Sequence, residues 1–259
     1  MDKLNINFNI PQQENYVDCM VAFIDILGFD RKIRSISSKE DFFEVARLLA
    51  ALKKTADAFN NTEDLGILKG LNLASISDSV VITMPYTNPI APMVLILFIQ
   101  KIQYDFIATN FKTLLRGYLT KGLVYHKDQI IFGNGYSDAY RKEQEIGHAP
   151  RVVVDPQIIK IGREIVSNYK GSEEVDHIFN HLMQDASDGY YFVDYLRPLN
   201  FQLGLSGEQQ LAERNAIKVF VANCLDQYRN DEKIIRKYEW LKNYLLLTEH
   251  YFETSINGH

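Results

Sequence analysis

Cysteine is nearly missing from this chain. Cys19 and Cys224 are the two in 259 residues. They cannot form a disulfide framework, and they do not make a metal-ligand pair by spacing. Neither sign of charge dominates: 28 Lys and Arg face 33 Asp and Glu, for a net charge of −5 and a pI near 5.7. A protein that coats duplex nucleic acid is usually basic, so no nucleic-acid partner is expected. Long apolar runs are absent too. The longest, Met93 to Ile99, falls far short of the roughly 20 residues that span a bilayer, so no membrane partner is expected. The opening MDKLNINFNIPQQEN is polar and is no signal peptide. No repeat, low-complexity tract or charge block occurs. Together these absences point to the cytosol.

What is present is ordinary globular material, 46% hydrophobic and 24% charged. Residues 1–16 read as an arm, 17–200 as a globular unit, and 201–259 as a helical appendage. Val21 to Leu27 is a buried strand. Ser37-Ser-Lys-Glu40 is a capping box, with Ser37 as N-cap and Glu40 at the third helical position. It opens a helix to about Asn60, whose apolar face is Phe42, Val45, Leu48, Leu52, Ala56 and Phe59.

Ile67–Ile76 and Val80–Met84 form a hairpin with Asp78 at its tip. Pro89 and Pro92 open a second helix to about Phe111. Its 93–99 run is apolar all round, which predicts burial on several sides, partly against another subunit. Leu114–Val124 and Gln129–Phe132 make a further strand pair turned at Lys127-Asp128. Then come a helix over Ser137–His148, a strand at Val152–Val154, a helix opened by Asp155-Pro156, and a late strand over Gly189–Tyr195. A capping box at Ser206-Gly-Glu-Gln209 starts the final helices, which break near Arg229-Asn-Asp231.

The order to Phe132 is β-α-β-β-α-β, the split pattern of ferredoxin-like α+β domains. That topology makes strands one and two parallel, with the third between them and antiparallel to both. The carboxyl end of the first strand, at Asp25, and the hairpin tip, at Asp78, then share one edge of the sheet. Two facing carboxylates repel unless a cation neutralises them. No Cys or His lies at ligand spacing beside either. All-oxygen ligation suits Mg²⁺ or Mn²⁺, which bind through one or two carboxylates plus substrate phosphates. The bland alternative is a solvated turn aspartate at 78 and a salt-bridged acid at 25. Gly28-Phe29 supplies a turn whose backbone N–H groups suit phosphates, or is simply a strand-end glycine.

Phe23-Ile-Asp-Ile-Leu-Gly-Phe29 resembles the F-x-D-I-x-G-F signature of class III nucleotidyl cyclases. The resemblance implies that Asp25 and the Ile26 carbonyl hold two catalytic ions, with Asp78 as the second metal aspartate. Gly133-Asn-Gly-Tyr-Ser137-Asp-Ala-Tyr-Arg141 partly keeps a third family segment, G-x-x-V-N-x-A-x-R. It puts Ser137 in the position that orients the ribose. It puts Arg141 in the position that stabilises charge on the transferring phosphate. Arg141 equally reads as a solvated helix residue paired with Glu145, four positions on. The match runs from about Val21 to Asp155, and Pro150-Arg-Val152 continues it.

The departures are specific. Ala74 stands where purine cyclases commonly carry a base-reading lysine, Asp30 replaces the usual Thr, and Ser77 replaces a glycine. The late strand has no phosphate-binding lysine. The pattern is similar to the pyrimidine cyclases of bacterial Pycsar anti-phage systems. That group carries R-G-Y-L-T-K-G (here Arg116–Gly122), A-Y-R-K-E, A-P-R and a helical tail. The resemblance implies conversion of UTP to 3′,5′-cyclic UMP and pyrophosphate, with CTP as the alternative. It also implies two Mn²⁺ or Mg²⁺ ions, a head-to-tail homodimer and a separate effector reached through the cyclic nucleotide. Phe42, Phe43 and Tyr118 are candidate base readers. A degenerate cyclase that only binds nucleotide is the non-enzymatic rival. The rivals on the same fold are a purine cyclase and a dinucleotide cyclase, the latter disfavoured by the missing G-G-[DE]-E-F sequence.

Overall fold

The computed structural model of the chain describes residues 16–60, 70–87, 89–108, 112–127, 130–147, 149–168, 178–197 and 207–251. The first strand, β1 (Tyr16–Ile26), starts five residues earlier than its apolar run suggests. Tyr16 to Met20 are held there by the 13-residue β4 (Leu115–Lys127), which pairs with β1 from Tyr16↔Tyr125 to Ile26↔Leu115. A long partner strand extends pairing past the hydrophobic segment, because backbone groups, not side chains, make the ladder. The expected arm therefore ends before Tyr16, and its residues 1–15 lie outside the described set.

A short helix, α1 (Phe29–Arg34), follows β1, and then α2 (Lys39–Asn60). The capping box is one residue later than the sequence pattern suggests. Ser38 Oγ accepts from the Asp41 N–H at 3.1 Å, and an Asp41 carboxylate oxygen accepts from the Ser38 N–H at 3.0 Å. Asp at the third position closes the box as well as Glu would. Val45 and Leu48 are buried, but Phe42 is 57% exposed beside Phe43 at 52%. The inner stripe of α2 thus begins a turn later than expected. Leu52, Ala56 and Phe59 have side chains outside the described set.

The hairpin β2 (Asn72–Ile76) and β3 (Ser79–Pro85) turns at Ser77-Asp78. β3 lies between β1 and β2 and is antiparallel to both, so β1 and β2 run parallel, as the β-α-β-β-α-β order requires. Among the described residues the sheet has eight strands. β6 (Val152–Val154) adds to β4 in parallel. The edge pair β8 (Tyr191–Val193) and β7 (Leu182–Gln184) follows, and the short β5 (Ile130–Phe132) folds back on β4. β7 has no sequence signature of its own. The turn residues Asp128 and Gln129 are outside the described set.

Alternation along β1 feeds two cores, because successive side chains point to opposite faces. Met20, Ala22, Ile24 and Ile26 join the larger one, under α2, α3 (Ala91–Ala108) and α5 (Pro156–Asn168). Cys19, Val21 and Phe23 face the other side with Ala139 of α4 (Asn134–Glu145). α3 is the one described helix apolar and long enough to cross a membrane, and most of it is buried in the core. Val94, Leu95, Ile96, Phe98 and Ile99 are all buried within this chain, and Met93 and Leu97 are half-buried. The expected subunit contact for 93–99 is thereby corrected: α2, the sheet and the C-terminal helices cover this run themselves.

The C-terminal helices are α6 (Gly207–Gln227) and α7 (Glu232–Leu247). They break as expected, with Asp231 capping α7 by accepting from the Ile234 N–H at 3.1 Å. The capping residue proposed for α6, Ser206, is outside the described set. Ile217, Val221, Leu241, Tyr244 and Leu245 share a third core with Leu114, Phe192, Tyr195 and Leu196 of the sheet region. The two helices are therefore built onto the sheet.

Candidate active site

Asp25 is the next-to-last residue of β1 and points to the α4 side of the sheet, in line with Val21 and Phe23. It is placed by pairing on both flanks, with Ser79 of β3 on one side and Arg116 of β4 on the other. The Ile26 N–H donates to the Asp78 carbonyl oxygen at 2.9 Å. The hairpin tip is thus bonded to the strand end, and the two acids share one sheet edge. Asp25 has a raised pKa. Burial is the main cause, Arg116 opposes it, and the charge of Asp78 adds to it.

The tip also explains a departure in the sequence. Ser77 adopts φ 58°, a left-handed conformation that costs a non-glycine residue about 1–2 kcal/mol. Gly28, with φ 81°, caps α1 in the same region of backbone space, and a Cβ there would meet nothing within 4 Å. Conformation, not space, is what Gly28 supplies. The Phe29 side chain is buried in the main core, so only its backbone is available to a ligand. The Ile26 side chain is likewise buried, so only its backbone is available to a ligand.

Three further charged residues surround Asp25. Arg116 donates to Asp25 Oδ2 at 3.2 Å, and its Nε lies 2.5 Å from Glu143 Oε1. The Glu143 side chain is 0% exposed. Its pKa is raised, chiefly by burial, with Arg116 opposing and Asp25 adding. The sequence reading assigned neither residue a role. The signal was there: Gly135, Ala139 and Glu143 recur every four positions and form the buried stripe of α4. α4 sits close over β4 because glycines meet: a Cβ on Gly122 would lie 2.7 Å from Gly135 Cα. That close seat brings Glu143 down onto Arg116. Lys237 of α7 is the third addition, near enough for its charge to act on Asp25.

Ser137 and Arg141 stand on the same helix as Glu143. Both lie on exposed positions of α4. Arg141 pairs with Asp138 at 3.0 Å and with Glu145 at 3.0 Å. Of the candidate base readers, Tyr118 is buried and donates its hydroxyl to Asp155 Oδ2 at 2.8 Å, a structural tie at the N-cap of α5. Phe42 and Phe43 stand edge-on to each other, ring centroids 5.7 Å apart, on the exposed side of α2. Ala74 is buried and too short to reach a base.

The donors at the edge are all oxygen: two carboxylates and a backbone carbonyl. They fit a hard divalent ion such as Mg²⁺ or Mn²⁺ that keeps positions open for substrate oxygens. Among the described residues no group of three or more His, Cys, Asp or Glu side chains forms a ready-made metal cage. A two-carboxylate edge that shares its ions with a ligand is consistent with that.

No protein-family model and no curated protein sequence matches the chain. Among solved structures, the chain is similar to the monomeric guanylyl cyclase domain of the RhoGC fusion protein from the aquatic fungus Blastocladiella emersonii. That alignment has 15% identity, covers 69% of this chain and 95% of that one, and has a TM-score of 0.48. It is also similar to the guanylate cyclase domain of RhGC from Catenaria anguillulae in complex with GTP, at 17% identity, 69% and 96% coverage, and TM-score 0.44. The adenylyl cyclase CyaB from P. aeruginosa aligns at 13% identity, 68% and 93% coverage, and TM-score 0.41.

Proposed function

We propose that this chain is a divalent-metal-dependent nucleotidyl cyclase that converts UTP to 3′,5′-cyclic UMP and pyrophosphate, as a second messenger in anti-phage defence. The observation that carries the reading is the joining of Asp25 and Asp78 at one sheet edge beside Gly28. Motif and topology support a cation-holding acid pair directly before a turn that suits phosphates. Asp25, Asp78 and the Ile26 carbonyl would hold two Mg²⁺ or Mn²⁺ ions. Ions bound there lower the pKa of the ribose 3′-hydroxyl and neutralise the departing charge.

In the reaction, the 3′-oxygen attacks the α-phosphorus in line and loses its proton. The bond to the β-phosphate bridging oxygen breaks, and pyrophosphate leaves. The backbone of Gly28 and Phe29 faces the phosphates. Ser137 orients the ribose and Arg141 stabilises the charge on the transferring phosphoryl group. Arg141 is exposed and paired with Asp138 and Glu145 of its own helix, and the reading has it act in a head-to-tail homodimer on nucleotide held by the partner. Residues 17–200 carry the catalytic machinery under this reading. A downstream effector responds to the cyclic product.

The test is incubation with each of the four nucleoside triphosphates and Mn²⁺, reading the cyclic product by mass. Cyclic UMP from UTP is expected. Cyclic CMP alone would move the specificity to cytosine, and cyclic AMP or GMP would overturn the pyrimidine assignment. No cyclic product from any of the four would leave a nucleotide-binding module and overturn the enzyme.

A further inference from the structure

We propose that the C-terminal helix α7 forms part of a polyphosphate-binding cavity and that Lys237 is its principal phosphate ligand. This rests on the cyclase reading for the identity of the natural ligand, but the binding chemistry stands on the cavity itself. The cavity measures about 610 Å³, within the range of about 300–1,000 Å³ common for ligand pockets. It lies between the turn after β1, α1, the segment leading into β4, and α7. Four cations line it, Arg31, Lys32, Lys112 and Lys237, against one carboxylate, Asp30.

Their partners separate them. Asp30 is taken up by Arg34, whose Nε donates to it at 2.8 and 2.9 Å. Lys32 is paired with Glu44. Arg31 lies 3.8 Å from Asp231 and over the Tyr228 ring. Lys112 donates to the Ala108 carbonyl at 3.1 Å, at the end of α3. Lys237 is half-buried, yet among the described residues no hydrogen bond or ion pair is made by its ammonium. A half-buried ammonium without a partner is costly, and a bound anion removes that cost.

The electrostatics agree. The Lys237 pKa is pushed down, first by burial and then by the Arg116 charge. Lys112, also in the lining, is pushed down by burial as well. Burial disfavours the charge on both lysines, although Asp25 and Asp231 act the other way on Lys237, and the four cations against one carboxylate in the lining leave room for an anion of several charges. The cavity begins at Leu27 and Gly28, directly after Asp25 and Ile26. An anion there would sit beside the turn that follows the acid edge. The chemistry points to a linear polyphosphate, either inorganic or the tail of a nucleoside triphosphate.

The test is calorimetric titration of the full chain with inorganic tripolyphosphate in EDTA at constant low salt. The variants are Lys237→Met, Lys237→Arg and, as a control on the same helix, the exposed Arg236→Met. Wild type and Arg236→Met should bind alike. Lys237→Met should weaken binding by about tenfold or more, and Lys237→Arg should restore most of it. Urea midpoints identify any variant that fails to fold, and Lys237→Arg keeps the comparison decisive in that case. Equal binding by wild type and a folded Lys237→Met, or no binding by wild type, overturns the proposal. Parallel titration with UTP distinguishes the sources: tighter binding than tripolyphosphate assigns the site to a nucleotide tail, and weaker binding to inorganic polyphosphate. Lys237-dependent tripolyphosphate binding in a chain that cyclises no nucleotide would keep this site and remove the cyclase reading. Cyclisation with a KM indifferent to Lys237→Met would do the reverse.

Discussion

Ile26 donates its backbone N–H to the Asp78 carbonyl oxygen at 2.9 Å, so the hairpin tip is held against the end of β1 by main chain alone. Side-chain changes at either aspartate leave that bond in place. Asp78→Ala and Asp25→Ala should therefore fold normally and lose cyclic product down to background. Product yield by mass and the urea midpoint are the two readouts. Full turnover by a well-folded Asp78→Ala protein would remove the two-acid site.

Arg116 is the cation between Asp25 and a fully buried Glu143. Deleting it leaves an uncompensated buried charge. Arg116→Ala should cost about 3–5 kcal/mol in urea unfolding. Replacing both Arg116 and Glu143 by leucine should recover part of that loss, because the fully buried Glu143 charge is then gone while Asp25 still lacks its cation. A double variant as unstable as the single one would refute the ion-pair account.

Glu143 also sets a pH dependence. Its folded pKa is raised, chiefly by burial, above the unfolded value of about 4.3. The charged acid therefore costs stability at neutral pH. The folded state takes up a proton first as pH falls, so this group's contribution becomes more favourable through the folded pKa and levels off below the unfolded one. Wild type should gain more, or lose less, between pH 7 and pH 5 than Glu143→Gln does. Parallel pH profiles for the two proteins would show that Glu143 does not titrate differently on folding.

Arg141 stands on the exposed face of α4, and its ion pairs among the described residues are with Asp138 and Glu145 of the same helix. Arg141→Ala should leave the thermal midpoint unchanged and abolish cyclisation. Mixing inactive Arg141→Ala chains with inactive Asp25→Ala chains should restore part of the activity, since a head-to-tail mixed dimer contains one intact site. An inactive mixture whose chains associate would argue against a shared site.

Ser77 holds φ 58° at the hairpin tip. Ser77→Gly relieves the strain of a left-handed non-glycine residue and should stabilise the chain by up to about 1 kcal/mol. The urea midpoint measures it, and a loss of stability would mean that the serine side chain contributes more than the strain costs.

Much of this protein is determined by the sequence alone. The β-α-β-β-α-β order, read from periodicity and turn chemistry, is enough to bring Asp25 and Asp78 to one edge, because antiparallel pairing around β3 leaves no other arrangement. The absence of soft ligands beside these acids is likewise legible in the composition, and it is what the proposal of a hard cation rests on. Local signals were less sharp in register: the cap of α2 is Ser38, not Ser37, because Asp41 closes the box as well as Glu40 could. Phe42 lies outside the buried stripe, although helical spacing includes it.

Only the tertiary structure decided what surrounds Asp25. Arg116 reaches it by strand register, Glu143 by the glycine contact that seats α4 on β4, and Lys237 from a helix at the far end of the chain. Each is an ordinary surface-type residue in its own segment. Its role comes from long-range packing, which periodicity does not encode. The same packing covers the apolar run of α3 from within and attaches the C-terminal helices to the sheet. The stretch around Asp25 thus names the acid, and the rest of the fold supplies its cation, its partner acid and the positive cavity beside it.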